Sequence, residues 1–146
     1  MTLISSEASP ALRRQVLLEC LREFAQVRLT VSGACMEPAL RDGDVVTLVA
    51  ASRRPPRLGD VVLAAAGDGV QLHRLVWAAR GRWRTKADRA PTWDTAVAEP
   101  DLIATAVEVQ SGQLTRTPRS AARLVRSLLA VAAAHLRALG RPSLRG

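Results

Sequence analysis

The chain has 146 residues, 48% hydrophobic and 23% charged, enough for one domain with a modest core and too short for two comfortable ones. Aromatic residues make up only 3%, with no Tyr, which excludes a surface of stacked rings, so nucleic acid is not an expected partner. The net charge of +8 is concentrated: Arg116, Arg119, Arg123, Arg126, Arg137, Arg141 and Arg145 follow Ser111 with no Asp or Glu among them, which leaves a charge of +1 for everything before.

Ser9 followed by Pro10 reads as an N-cap and first helical turn, and Leu12, Val16, Leu17, Cys20, Leu21 and Phe24 then recur at helical spacing. The spacing predicts an amphipathic helix from about Pro10 to Gln26, with Cys20 on its apolar stripe as a small hydrophobe. The opening "MTLISSEASPALRR" lacks the basic and then apolar segments of an export signal, and two cysteines cannot build a disulfide framework. A cytosolic, reduced location is therefore expected.

From Val27 to Val109 the texture changes to short β-branched runs broken by Gly, Pro and Asp: "VRLTV", "DVVTLVA", "GDVVLAAA", "VQLHRLVWA", "GRWRTKA" and "LIATAVEV". Strands of this length and spacing predict a mainly β domain, a compact sheet or barrel. "RRPPR", Arg53 to Arg57, breaks one pair of strands, and "DRAPTWD", Asp88 to Asp94, makes a longer loop. The expected organisation is an N-terminal helix over 1–27, the β-domain over 28–110 and a basic helical tail over 111–146.

In the tail, Leu124, Leu128, Val131, Leu136 and Leu139 are expected on one side of a helix and Arg119, Arg123, Arg126 and Arg137 mostly on the other. Two readings stand: an ordinary helix packed on the domain, or a basic contact for an acidic partner or an anionic membrane surface. The longest apolar run, "LLAVAAA" from Leu128 to Ala134, falls far below the roughly 18–20 residues of a spanning helix, so none is expected.

The stretch "VSGACMEPALRDGD", Val31 to Asp44, sets Cys35 among small residues in a turn, where a side chain is displayed. A thiol attacks a carbonyl as its thiolate, an imidazole can take and return the proton, and a carboxylate on the other ring nitrogen fixes the tautomer. One such set falls on loops and strand ends of the β-domain: Cys35, His73 and Asp88 or Asp94. His135, in the tail helix, is a poorer second candidate for the base. A metal site from Cys35, His73 and Asp94 would lack any close ligand pair such as CxxC or HxxxH, and no metal or cofactor is expected.

"SGACMEPALRDGD", "RLGDVVLA", "QLHRLVW", "TKADRAPTWD" and "IATAVEV", in this order, resemble the motif series of the signal peptidase I clan, which also contains self-cleaving repressor-type peptidases. The match covers about residues 28–110 and implies a signal-peptidase-like coiled β-sheet or barrel, here flanked by an N-terminal and a C-terminal amphipathic helix. In that clan the residue before the Met of the first motif is the nucleophile, normally Ser; here it is Cys35. The base comes from the strand reading "LHRLV". Bacterial-type members use Lys there, the archaeal and endoplasmic-reticulum type uses His, and this chain has His73; its one Lys, Lys86, lies elsewhere.

The His-type members carry a loop resembling "TKGDNNxxDD", with which "TKADRAPTWD" aligns without a gap. Asp94 then matches the imidazole partner and Asp88 the structural Asp. Ala87 replaces the glycine, and Arg89 and Ala90 replace the "NN" pair. The resemblance implies an oxyanion hole built mainly from backbone donors, including the Cys35 N–H, with Gly33 standing where some relatives place a helping Ser. Met36 and Pro38 are expected to shape the turn.

The expected function is a Cys-His-Asp endopeptidase that trims a leader from a peptide or protein precursor, soluble or peripheral. Two other classes stand beside it: an inactive peptide-binding or adaptor member, and a self-cleaving repressor-type domain. Against the last, the first 27 residues offer one helix where a helix-turn-helix needs two.

Overall fold

The computed structural model describes residues 8–139. Helix α1 spans Pro10–Phe24 and is followed by strands β1 (Gln26–Thr30), β2 (Val45–Ala50), β3 (Val61–Ala66), β4 (Gly69–Ala79), β5 (Arg82–Lys86) and β6 (Val97–Ala98). A short 3-10 turn over Glu99–Asp101 leads into β7 (Leu102–Ser111), β8 (Leu114–Arg116) and helix α2 (Ala121–Leu139). The molecule is a curled antiparallel half-barrel sheet with a helix at each end.

The strands run in the order β1-β2-β7-β3-β4-β5-β6, with β8 paired to β7. β3 is central and buried on both faces, which is why "VVLAAA" is a continuous apolar run rather than an alternating one. Val61 and Leu63 join the main core with Met36, Leu40, Val46 and Leu48, while Val62 and Ala64 meet Leu75 and Leu102 in a smaller cluster on the other face. Leu17 and Leu21 of α1 close the main core.

The Ser9 side chain caps α1 by accepting the Leu12 N–H at 3.2 Å, as the sequence predicts. The helix ends at Phe24 rather than Gln26, because Ala25 turns left-handed (φ 59°) and Gln26 already pairs with Val49 of β2. The segment taken from sequence as tail likewise begins inside the sheet: β8 pairs Arg116 with Val109.

The tail helix also differs from expectation in how its apolar residues are used. Ser127 is its buried residue, and Leu124 and Val131 share that half-buried side, whereas Leu128, Leu136 and Leu139 are exposed. The apolar residues therefore divide between two sides. Among the described residues no helix is long and apolar enough to cross a membrane. Arg141 and Arg145 lie outside the described residues, as do residues 1–7.

Candidate functional site

The turn that carries Cys35 is pinned at its base and tight at its tip. Val31 N–H bonds Asp44 C=O at 2.8 Å and Gly43 N–H bonds Val31 C=O at 2.9 Å, closing the segment like a hairpin. Within it Glu37 N–H bonds Ala34 C=O at 3.1 Å, so Cys35 and Met36 occupy the corner of a turn, and the following Glu37–Pro38 peptide is cis. Cys35 is exposed and Met36 is buried. Gly33 adopts φ +89°, and its N–H is held by the Asp42 carboxylate at 2.9 Å. Its amide is thereby engaged, whereas the Cys35 N–H has no hydrogen-bond partner among the described residues.

His73 sits on β4 opposite Val62. Its Nδ1 lies 2.6 Å from Asp94 Oδ2, and that oxygen also accepts from Thr85 Oγ1 at 2.6 Å and from Gln71 Nε2 at 3.4 Å. Burial opposes ionisation of Asp94, but the bonds from His73 and Thr85 and the nearby charges of His73 and Lys86 outweigh it and hold the carboxyl below its ordinary value. An ionised carboxylate only accepts, so Nδ1 carries the proton and Nε2 is the nitrogen left for a thiol. The Asp94 N–H bonds Thr85 C=O at 2.9 Å, and the Arg84 guanidinium lies over the Trp93 ring, 5.9 Å from its centroid, which fixes this end of the loop.

The other end of the loop is held by the next residue of the same strand. Arg74 is fully buried and makes a bidentate pair with Asp88, at 2.7 and 2.8 Å. Its Nη1 also donates to Gly59 C=O at 2.7 Å and to Pro118 C=O at 3.2 Å, so one guanidinium joins the loop, the β3 turn and the segment leading to α2. Asp88 and Asp94 are thus bonded by adjacent residues that point to opposite faces of β4.

The loop is also tied to the cysteine turn. Arg89 N–H bonds Cys35 C=O at 3.1 Å, and Asp88 N–H meets Met36 Sδ at 3.3 Å. Arg89, at a departure from the family-like loop pattern, is therefore a contact of the turn, and it pairs with Glu37 at 3.5 Å. Lys86 is buried at the end of β5, with Nζ donating to Ala87 C=O at 2.9 Å and Asp88 C=O at 3.4 Å. Burial pushes its ammonium below its ordinary range, with Arg74 adding to the effect and Asp88 and Asp94 opposing it.

Cys35 and His73 open onto one cleft of about 630 Å³, which Lys86 does not line. Its walls include β1 and the Gly69–His73 half of β4, with Leu40 and Leu63 between them and Arg13 and Leu17 of α1 at the side. Among the described residues β1 pairs only with β2, and residues 69–73 pair only with β3, since β4 meets β5 from Arg74 onward. Both walls therefore keep one unpaired backbone edge, which is what an extended peptide needs in order to add as a strand. Among the described residues the Cys35 thiol makes no hydrogen bond, and no cluster of three or more His, Cys, Asp or Glu could hold a metal ion. His135 is exposed on α2, away from this cleft.

Sequence reasoning missed Gln71, Arg74 and Thr85. Gln71 shares the His73 face by strand alternation, and a charged Arg74 inside "QLHRLVW" marks a buried ion awaiting a partner. Thr85 carried no comparable signal. Two arginines counted as tail charge are also bound to the body: Arg116 reaches Asp44 at 3.1 Å and Ala39 C=O at 2.7 Å, and Arg119 reaches Asp60 at 3.4 Å. No protein-family model matches this chain, and no curated protein matches it.

Proposed function

We propose that this chain is a signal-peptidase-like cysteine endopeptidase that cleaves an extended segment of a precursor peptide or protein. The observation that carries the reading is the 2.6 Å His73–Asp94 bond on the cleft into which the exposed Cys35 also opens. The resemblance of five ordered motifs to the signal peptidase I clan supports it independently.

In this mechanism the peptide lies in the cleft as an added strand, and His73 Nε2 takes the proton of Cys35. The thiolate adds to the scissile carbonyl, and the Cys35 N–H donates to the oxyanion. On collapse the C–N bond breaks, His73 returns its proton to the leaving amine, and a thioester remains on Cys35. Water, deprotonated by His73, then adds to the thioester; the C–S bond breaks, the acid is released, and the His73 proton returns to the Cys35 thiolate. Asp94 keeps the imidazole in the required tautomer throughout and stabilises its cation.

A thiol nucleophile works only while reduced, which favours the cytosol and a substrate made there, such as a leader-bearing precursor. A second reading, a noncatalytic peptide-binding module, is favoured by the resting Cys35 thiol, which makes no hydrogen bond among the described residues.

The pH dependence of iodoacetamide alkylation at Cys35, located by mass spectrometry, separates the two. The peptidase reading expects reaction well below the ordinary thiol value of about 8.5, and loss of that low-pH reactivity in His73→Ala. The same free-thiol profile in both proteins overturns it in favour of the binding module.

A further inference from the structure

Half of the large apolar side chains exposed among the described residues belong to α2: Val125, Leu128, Leu129, Leu136 and Leu139, at 53, 38, 63, 69 and 76% exposure. With Ala132 they recur at intervals of three and four and form one stripe, about 21 Å long from Val125 to Leu139. The side turned to the body is a different one, carrying Leu124, Ser127 and Val131, and it docks where Leu124 meets Gly59. Arg126 and Arg137 project between these two sides, along one border of the stripe. Among the described residues the body therefore does not use the helix's outer face.

We propose that this face of α2 lies in the plane of an anionic lipid surface. The apolar stripe would enter the acyl boundary while Arg126 and Arg137 meet lipid phosphates at headgroup depth, the arrangement of an interfacial amphipathic helix. Charge decides between occupants. From Ser111 onward the sequence has no Asp or Glu, so two copies packed on this stripe would set arginine beside arginine with no carboxylate on the helix to answer. A single convex helix also offers no groove for a peptide, and a bilayer requires none. The stripe is too short to span and long enough to lie flat. The inference does not depend on the chemistry of the cleft, since neither Cys35 nor His73 takes part.

The test is co-sedimentation of the full chain with vesicles of phosphatidylcholine alone and of phosphatidylcholine mixed with phosphatidylglycerol. The wild type is expected to pellet with the mixed vesicles far more than with the neutral ones, and Cys35→Ser to behave identically. Leu129→Glu combined with Leu136→Glu should abolish pelleting at an unchanged thermal midpoint. Arg126→Ser combined with Arg137→Ser should weaken it by roughly 30-fold, about fivefold for each arginine. Wild type left in the supernatant, or binding that survives the paired glutamates, overturns the proposal. So does a concentration-dependent dimer that the same glutamates dissolve, which would assign the face to a second copy, or leucine-dependent binding of a polyglutamate peptide, which would assign it to an acidic protein.

Discussion

His73 and Arg74 are neighbours on one strand, each bonded to an aspartate of one loop, yet their surroundings differ: the His73 side chain is 12% exposed on an open cleft, and Arg74 is wholly enclosed. The Arg74 pair satisfies several backbone and carboxylate acceptors at once and leaves nothing over for a ligand. The His73 pair satisfies one ring nitrogen and leaves the other without a hydrogen bond among the described residues. Strand alternation thus lets a single dipeptide anchor both ends of the loop, one inside the fold and one beside the cleft. The contrast is between a bond closed inside the fold and a bond beside the cleft, which in the proposed mechanism sets the tautomer of the base.

The largest effect should come from the reactive side. Asp94→Asn keeps the shape of the loop but removes the carboxylate that fixes the His73 tautomer. Turnover of a peptide whose cleavage requires Cys35 should fall by roughly 10³–10⁴, while urea unfolding changes by less than about 1 kcal/mol. A variant that loses stability and activity together would erase the distinction. The supporting side should show the reverse: Arg74→Met leaves Asp88 without its cation and strips Gly59 and Pro118 of a donor, and urea unfolding should show a loss of about 3–5 kcal/mol.

A smaller effect probes the turn itself. Gly33 sits at φ +89° in open space, with no atom within 4 Å of where a Cβ would lie. Gly33→Ala should therefore cost about 1–2 kcal/mol through the backbone alone, read in the same unfolding assay. It bears on the helping Ser that some members of the resembled clan place at the matching position, since here any side chain would carry that strain. A loss well beyond this would mean that the substitution also breaks the Asp42 bond that holds the turn.

Much of this was readable from residues, and the failures have physical causes. The strands announced themselves by β-branched runs between Gly, Pro and Asp, and the first helix by Ser9–Pro10. Cys35, His73 and Asp88 or Asp94 were candidates by their chemistry, and the resemblance to the signal peptidase I clan chose Asp94; the structure brings Asp94 to His73 and opens Cys35 and His73 onto one cleft. β8 escaped notice because Leu114–Arg116 is too short to show alternation, and its pairing with β7 is visible only in three dimensions. The two apolar sides of α2 merged in the sequence into one amphipathic pattern, since periodicity reports that a face is apolar and not what covers it. The Arg74–Asp88 pair spans 14 residues and depends on how β4 and the loop meet, so composition could flag the buried charge but not its partner.

The finest test of the contrast between the two pairs is acid. Asp94 is held below its ordinary value of 3.8 in the folded protein, because the His73 and Thr85 bonds and the nearby positive charges outweigh the opposing effect of burial. A carboxyl with a lowered folded-state value contributes stability that is fully present above the unfolded value. That contribution is lost as pH falls below about 3.8 and through the folded value, because the unfolded chain takes up its proton first. Wild-type stability from urea unfolding should therefore fall as the solution is acidified through this range. Asp94→Asn should lose the Asp94 share of that slope while converging on the wild type at the acid end. Asp44, held low by Ser111, the Arg41 N–H and Arg116 despite burial, contributes in the same direction and remains in both proteins, so it cancels from the difference. Parallel curves for the two proteins would mean that the His73–Asp94 bond does not favour the charged carboxylate in the fold, and the tautomer argument for Nε2 would fail with it.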